Sequence, residues 1–442
     1  MKTRKIFSRV VFLLAFLFSA NSVAFVWDNA NFLWLPVALF LLSYTLCGFF
    51  DGSAKGVRLH ICNHGTECLI IFCISSVLSA VYHITMFAWV EGWHAILMIA
   101  SAIICVLAHA GLFWNGIICV YCTSVQLGIK HRVIGIVCGF IPVANLVALH
   151  KIIKVSAEEV RFETAKKRLN AERAHLHICK TKYPVLFVHG VFFRDNKLLN
   201  YWGRVPAELA ANGAEVYYGE HQSASSVEAS AAELAERIKA VLRESGAEKL
   251  NIIAHSKGGI DCRYAICKFG VAEHVASLTT VNTPHRGCGF AEYLLKKIPE
   301  TVQCGVADKY NKAARVFGDT APDFMAAVRD LTAEKCKKLD EELQMPQNIF
   351  CASVGSVMPK PTHGKFPLNF SYPLVEYFDG ANDGLVSAAS FAFGEKYTFL
   401  KPQGDRGISH GDMIDLNREN IEGFDVREFY VSLVSDLRER GL

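Results

Sequence analysis

Long apolar runs dominate the first third of the chain. The runs before residue 150 carry almost no charge, and each is close to or beyond the ~20 residues that a helix needs to cross a bilayer. They cover Ile6–Val26, Ala30–Phe50, Cys68–Val90, Trp93–Cys122 and Val133–Leu149, the last interrupted by Pro142. This pattern predicts an all-α transmembrane region of about five spans over residues 1–150.

Basic residues predict the orientation of these spans. They stand at the start of the chain, after the second run and before the fifth, whereas the loops after the first and third runs carry none. The residues concerned are Lys2, Arg4, Lys5, Arg9, Lys55, Arg58, Lys130 and Arg132. The positive-inside rule places the N-terminus in the cytoplasm and, after five spans, everything past residue 150 outside. Cleavage of the first run as a signal peptide after Ala24 leaves this result unchanged, whereas Lys151 and Lys154 favour a cytoplasmic C-terminal domain.

A charged, helix-prone connector over residues 151–182 precedes a region in which short apolar strands alternate with helices. Strands are predicted at Val185–Val188, Glu215–Tyr218, Leu250–Ile253, Val275–Val281 and Asn348–Gly355, and helices at Trp202–Ala211, Val227–Glu244, Ile260–Phe269 and Asp425–Leu442. The alternation predicts an α/β domain over residues 183–442 with a mostly parallel sheet covered on both faces. The helix-rich residues 286–343 interrupt it as a cap insertion or, equally, as a packing subdomain.

Composition excludes some classes of function. The formal net charge of +4 belongs to residues 1–150, because the rest of the chain holds equal numbers of basic and acidic residues. Without a basic face, no nucleic-acid partner is expected. The chain has 15 cysteines. Those after residue 150 are odd in number and no spacing resembles a zinc site, so we expect mostly free thiols, which are typical of a reducing setting.

The stretch from Leu250 to Gly259 carries the candidate chemistry. An apolar strand, the segment Ala254-His255-Ser256-Lys257-Gly258 and a helix follow one another directly. This order is a G-x-S-x-G nucleophile elbow with alanine in place of the first glycine, and it predicts Ser256 as a nucleophile.

A serine nucleophile needs a base and a carboxylate that orients the base. In sheets of this kind the order along the chain is Ser, then Asp or Glu, then His. Among the histidines after Ser256, only His410 lies in the far C-terminal part, and Asp383 precedes it in a glycine-containing turn. We therefore predict His410 as the base and Asp383 as the carboxylate, with Asp379 and Asp405 as alternatives.

An oxyanion hole needs two backbone N–H donors. One is expected from Lys257, the residue after the nucleophile. The other is expected from the loop after the strand Val185–Val188, which reads His189-Gly190-Val191-Phe192-Phe193. Gly190 allows a sharp turn there, so the Val191 N–H is the predicted second donor.

Residues 183–430 resemble the lipase branch of the α/β-hydrolase family, especially bacterial triacylglycerol lipases. The matching segments are, in order, Tyr183–Gly190, the serine elbow, Thr283–Gly287, Asn382–Val386 and the loop around His410. The resemblance implies an α/β-hydrolase fold with a helical cap insertion. It also implies nucleophile, acid and base at Ser256, Asp383 and His410, oxyanion donors at Val191 and Lys257, and a structural role for His285. It does not extend to residues 1–150.

Some members of this family bind calcium near the histidine loop, where Asp412 stands in this sequence. No partner carboxylate is evident before Asp383, so we predict no cofactor, with calcium bound at Asp412 as the open alternative. The combined pattern predicts a multi-pass, membrane-anchored serine hydrolase that cleaves the carboxylic esters of acyl lipids through an acyl-enzyme. An acyltransferase using the same triad is one alternative. A membrane sensor or transporter with a non-catalytic, ligand-binding hydrolase-like domain is another.

Overall fold

The computed structural model describes residues 2–23, 30–91, 93–191, 200–316, 318–401 and 405–442. The chain divides into two compact units, Met1–Ala171 and Glu172–Leu442. The first is helical, and the second contains one parallel sheet.

The first unit consists of long helices. They are α1 Lys2–Asn21, α2 Trp34–Leu46, α3 Val57–Phe87, α4 Trp93–Thr123, α5 Gly128–Cys138 and α6 Ala144–Arg173, whose last turn enters the second unit. By length and composition, α3 and α4 are able to cross a membrane. Helix α1 is joined to α3 by Arg9, whose Nε and Nη2 donate to the Glu67 carboxylate at 2.7 and 2.8 Å.

Two of the predicted spans differ from the structure. The run Ala30–Phe50 forms a helix of only 13 residues, too short to cross a bilayer alone. The run Val133–Leu149 is not one helix, because α5 ends at Cys138 and α6 begins at Ala144. Pro142 has no N–H to donate within a helix, and Val143 adopts a left-handed φ of 67°. The prediction of about five spanning helices is therefore corrected at these two runs.

The predicted solvated connector is also more deeply packed than its charge suggests. Helix α6 runs through most of it, and the Glu159 side chain is buried. The Glu159 carboxylate accepts hydrogen bonds from Ser124 Oγ and from an Arg58 guanidinium nitrogen, both at 2.6 Å. Its charge is therefore compensated inside the first unit rather than by water.

The second unit is built on six parallel strands in the order β2-β1-β3-β4-β5-β6. The strands are β1 Val185–Val188, β2 Val216–Tyr218, β3 Leu250–His255, β4 Val275–Val281, β5 Phe350–Ser356 and β6 Lys396–Leu400. The helices are α7 Val205–Ala211, α8 Val227–Ser245, α9 Lys257–Lys268, α10 Gly289–Lys297, α11 Glu300–Val316, α12 Phe324–Asp330, α13 Ala333–Glu342, α14 Leu368–Asp379 and α15 Val426–Glu439. This confirms the predicted parallel sheet.

A separate apolar core covers each face of the sheet. Successive strand residues point to opposite faces, so Phe187 packs with Trp202 and Tyr430 on one side, while Leu186 and Ile252 pack on the other. Both faces of the central strands are buried. The carboxyl ends of the parallel strands therefore meet along one edge, where loops are free to carry side chains for chemistry.

The boundaries differ from the sequence prediction in a few places. Strand β6 was not predicted, because its residues are half-exposed and lack an apolar run. Helix α9 begins at Lys257 rather than at Ile260, directly after the serine. The described part of residues 286–343 contains the four helices α10 to α13 and no strand, as the break in the strand–helix alternation indicated.

Candidate active site

Ser256 lies at a sharp turn between β3 and α9. Its backbone has φ 55° and ψ −133°, a conformation that non-glycine residues rarely adopt. The two glycines that follow allow this turn to pack closely. A Cβ on Gly258 would lie 2.3 Å from the His189 carbonyl oxygen, and one on Gly259 would lie 2.3 Å from Thr283 Oγ1. The geometry is that of a nucleophile elbow.

The loop after β1 approaches this turn. A Cβ on Gly190 would lie 2.8 Å from the Ser256 Cβ and 3.2 Å from the His255 carbonyl oxygen, so only glycine fits there. Val191, the next residue, is buried. The last two residues of the predicted loop, Phe192 and Phe193, lie outside the described residues. The loop therefore brings its backbone to the nucleophile, as an oxyanion hole requires.

Lys257 begins helix α9, where backbone N–H groups have no partner within the helix. Its side chain turns away into the protein. Its Nζ donates to both oxygens of Asp261, at 2.7 and 2.9 Å, and to Ser230 Oγ at 3.0 Å. Burial raises the pKa of the Asp261 carboxyl to about 7, and the Lys257 ammonium opposes this rise. Only the backbone of Lys257 is thus available to the site.

Asp383 and His410 are in direct contact. His410 Nδ1 lies 2.6 Å from Asp383 Oδ2. The other oxygen of Asp383 accepts from the backbone N–H groups of Leu385 and Val386 at 2.9 and 2.8 Å. The His410 backbone N–H also donates to the Asp383 carbonyl at 2.9 Å. The carboxylate is buried and fixed on both oxygens, so it holds the imidazole in one orientation.

Asn282 was not identified from the sequence. It follows β4 with φ 46°, and its side-chain amide donates to Asp383 Oδ2 at 2.6 Å and to Ser356 Oγ at 2.8 Å. It is fully buried. The signal available was its place directly after a buried strand, next to Thr283-Pro284. Its contact with Asp383 depends on two distant strand ends meeting, which no local pattern shows.

His410 lies beside the elbow. Its ring centroid is 4.4 Å from that of His255, the residue before the nucleophile. No hydrogen bond joins Ser256 Oγ to His410 within the described ranges. Catalytic hydrogen bonds are often long before substrate binds.

The alternative residues have other roles. Asp379 accepts hydrogen bonds from the backbone N–H groups of Gly289 and Phe290 at the start of α10, and Asp405 is exposed. His285 is buried between the Arg263 guanidinium at 3.2 Å and Thr280 Oγ1 at 3.0 Å, and its ring stacks on Phe393. Burial and the nearby arginines lower its pKa well below the usual value. These contacts are those of a packing histidine.

Asp412 does not fit a calcium site. Its carboxylate accepts from the Ser409 backbone N–H at 2.8 Å and pairs with the Arg406 guanidinium at 3.1 Å. A guanidinium in this position competes with a cation for the same oxygens. No group of three or more His, Cys, Asp or Glu side chains with metal-binding geometry occurs among the described residues. The Asp412 carboxylate therefore serves the histidine loop through its contacts with Ser409 and Arg406.

Comparison with known proteins places this unit in a family. Residues 183–325 match the family model described as alpha/beta hydrolase fold. The triacylglycerol lipase of Pseudarthrobacter phenanthrenivorans is 34% identical over 165 residues, which cover 34% of this chain and 51% of that one. That of Burkholderia plantarii is 34% identical over 165 residues, covering 34% and 45%. The chain thus spans about half the length of these curated relatives.

A third curated relative matches over a longer segment, and one solved structure is similar at lower identity. Triacylglycerol lipase 2 of Saccharomyces cerevisiae is 37% identical over 270 residues, covering 56% of this chain and 77% of that one. The mature form of a Bacillus licheniformis lipase superposes with a TM-score of 0.42 at 21% identity, covering 57% of this chain and 92% of that one. The parallel sheet, the serine elbow and the 37% identity over most of a relative together show that this chain belongs to the lipase branch of the α/β-hydrolase family.

Proposed function

We propose that this protein is a membrane-anchored serine hydrolase that cleaves the carboxylic esters of acyl lipids. The observation that carries the proposal is the 2.6 Å contact between His410 Nδ1 and Asp383, on the strand-end edge that also presents Ser256 at a turn with φ 55°. Three groups of this kind, in this order along the chain, form a hydrolytic triad.

In the proposed reaction His410 Nε2 takes the proton of Ser256 Oγ as the oxygen attacks the ester carbonyl. Asp383 accepts the Nδ1–H, so Nε2 is left free to act as the base, and the buried carboxylate stabilises the imidazolium that forms. The imidazolium then protonates the departing alcohol. A water molecule, activated in the same way, releases the carboxylic acid from the acyl-enzyme.

The developing oxyanion would be held by the backbone N–H groups of Val191 and Lys257. The close approach of Gly190 to Ser256 brings the loop after β1, which carries the Val191 N–H, next to the turn after β3, which carries the Lys257 N–H. Lys257 adds the positive end of the α9 helix dipole, which favours negative charge at this point. Removal of one such donor costs about 10²–10³-fold in turnover in comparable sites.

A water-insoluble substrate is supported by helix α14, which leads from β5 towards Asp383. One side of α14 packs inward through Tyr372 and Val375. The opposite side and the residues before it expose a continuous apolar stripe: Phe366, Pro367, Phe370, Pro373, Leu374 and Tyr377. Phe370 is 70% and Tyr377 83% exposed. A stripe of this size next to a catalytic residue suits contact with a lipid surface.

Anchoring in a membrane is supported by the two long apolar helices α3 and α4. An extracytoplasmic hydrolase domain requires a further span besides α3 and α4, because the basic residues that flank this pair, Lys55, Arg58, Lys130 and Arg132, place both of its ends on the cytoplasmic side. Protease added to sealed cells tests this part of the proposal. Digestion of residues after 172 in intact cells is expected, and protection of those residues until the cells are opened would reverse the orientation.

The chemical part is tested by hydrolysis of p-nitrophenyl butyrate. Ser256→Ala in the full chain should abolish the activity of purified protein, because no other group replaces the nucleophile. Cys262→Ser, a substitution at a buried residue of the helix α9 that follows Ser256, should retain it. Undiminished hydrolysis by Ser256→Ala would refute the proposed function.

A further inference from the structure

A buried tyrosine hydroxyl connects two parts of the candidate site. The Gly190 backbone N–H donates to Tyr201 Oη at 3.1 Å, and the same Oη lies 2.7 Å from His255 Nδ1. Tyr201 is 4% exposed and His255 is fully buried. One hydroxyl thus joins the oxyanion loop after β1 to the residue that precedes the nucleophile.

His255 carries this connection on to the base. Its ring lies against the His410 ring, at 4.4 Å and a tilt of 52°. Burial, and the neighbouring His410, lower the pKa of His255 well below its usual value, so it stays neutral. A neutral ring in this place is required, because a second positive charge beside His410 would oppose formation of the imidazolium.

The tyrosine ring itself is held by other contacts. It packs edge-on against Trp202, with ring centroids 5.5 Å apart, and lies tilted against the His189 ring at 5.7 Å. Removal of the hydroxyl alone therefore leaves the ring in place. This separates the role of the hydrogen bonds at Gly190 and His255 from the role of the ring in the core.

We propose that Tyr201 and His255 form a positioning pair that fixes the spacing between the oxyanion loop and His410. The loop meets the pair at Gly190, and the base meets it at the His255 ring. The inference rests on the proposed hydrolytic function of Ser256. Neither residue of the pair supplies a reacting atom, but a displacement of about 1 Å in such a site costs on the order of 10²-fold in rate.

The kinetic test uses the full chain in detergent micelles with p-nitrophenyl butyrate. Tyr201→Phe and His255→Leu should each lower kcat by about tenfold to a hundredfold, with KM changed by less than about twofold, since the proposed role of the pair is exerted through Gly190 and His410. His255→Asn keeps a polar atom near the Nδ1 position and should recover part of the loss. The double variant should be no slower than the slower single variant, because the two residues act as one unit.

Tyr430→Phe is the matched control. Tyr430 is as deeply buried in the same core, and its hydroxyl donates to the Met413 carbonyl at 2.9 Å instead. It should lose thermal stability comparable to Tyr201→Phe and keep its kcat. An equal loss of kcat in the two variants, or losses that multiply in the double variant, would overturn the positioning pair.

Amide hydrogen exchange gives a readout that does not depend on activity. In Tyr201→Phe the Gly190 amide loses its acceptor, so the peptide that contains it should exchange faster than in the wild type and in Tyr430→Phe. Unchanged exchange would overturn the proposal even if kcat falls. If the wild type shows no hydrolysis that depends on Ser256, the proposed function fails, and the exchange result still decides whether Tyr201 holds the loop.

Discussion

Two residues at adjacent strand ends in the candidate site have strained backbone conformations. Ser256 and Asn282 both have positive φ angles, at 55° and 46°, and such conformations cost on the order of 1–3 kcal/mol each. Their backbone N–H groups are held by the next strands: Ser256 N donates to Val281 O and Asn282 N to Val354 O, both at 2.9 Å. The sheet thus holds the nucleophile, and the amide that contacts Asp383, in conformations they would not adopt alone.

We predict that Asp383→Asn lowers kcat by about 10⁴-fold with little change in KM. An amide in place of Asp383 Oδ2 can present its NH₂ to His410 Nδ1, which reverses the hydrogen bond and selects the wrong tautomer. Steady-state ester hydrolysis by the purified variant measures this effect.

Asp379→Asn is the control for this substitution. Its carboxylate serves the start of α10, so the variant should keep turnover within a few fold of the wild type. A larger loss of turnover in Asp379→Asn than in Asp383→Asn would show that Asp379, and not Asp383, is the orienting carboxylate.

Helix α14 exposes large apolar side chains on its outer side. Its inner side packs on helix α10 through the contact of Phe378 with Tyr293, whose ring centroids lie 4.7 Å apart. It is also tied to the Asp383 turn, since Asn382 Nδ2 donates to the Tyr372 carbonyl at 3.4 Å. Its outer side exposes aromatic rings to solvent. A helix with one side fixed to the site and the other apolar is suited to bring that site to a lipid surface.

We predict that Phe370→Ser lowers activity on an emulsified triacylglycerol by about tenfold, because it removes the contact area of one exposed aromatic side chain. Hydrolysis of dissolved p-nitrophenyl butyrate should stay unchanged. Leu176→Ser, at another exposed apolar residue, is the control and should alter neither activity. An equal loss on both substrates would mean that Phe370 supports the fold and does not contact lipid.

For the whole molecule, the sequence predicted the architecture of the second unit better than that of the first. Buried strands such as Val275–Val281 are recognisable because apolar residues continue without interruption between turn signals, and the serine elbow is a local motif. The helix boundaries in the first unit were harder to predict. A run such as Val133–Leu149 has the composition of one helix, but it is divided at Pro142 and Val143. The contacts of Asn282 and Tyr201 depend on distant strand ends meeting, so no sequence pattern indicated them.

Stability of the whole hydrolase unit should fall in mild acid. Burial lowers the pKa of both His255 and His285, so below pH ~6.5 the unfolded chain binds protons that the folded chain does not. The free energy of unfolding therefore has its full contribution from these histidines above this pH. It decreases as the pH falls, by about 1.4 kcal/mol per pH unit for each histidine. The loss continues until the pH reaches the depressed pKa values of the folded state.

His285→Gln should make this pH dependence shallower. The variant removes one of the two buried histidines, so its apparent melting temperature, although lower at pH 7, should fall less between pH 6.5 and 5 than that of the wild type. Comparison with the wild type cancels the other titrating groups, including Asp261. His274→Gln, at a partly exposed histidine, should keep the wild-type slope. A wild-type slope in His285→Gln would show that His285 is not buried in its neutral form.

The central claim is that Ser256 is activated by His410, and a fluorophosphonate probe tests it most directly. The probe reacts with serines made nucleophilic by a base. The full chain should be labelled at the single peptide that contains Ser256, and His410→Ala should reduce the labelling rate by several orders of magnitude while the protein remains folded. Rapid labelling of Ser256 in His410→Ala, or no labelling of Ser256 in the wild type, would contradict the account.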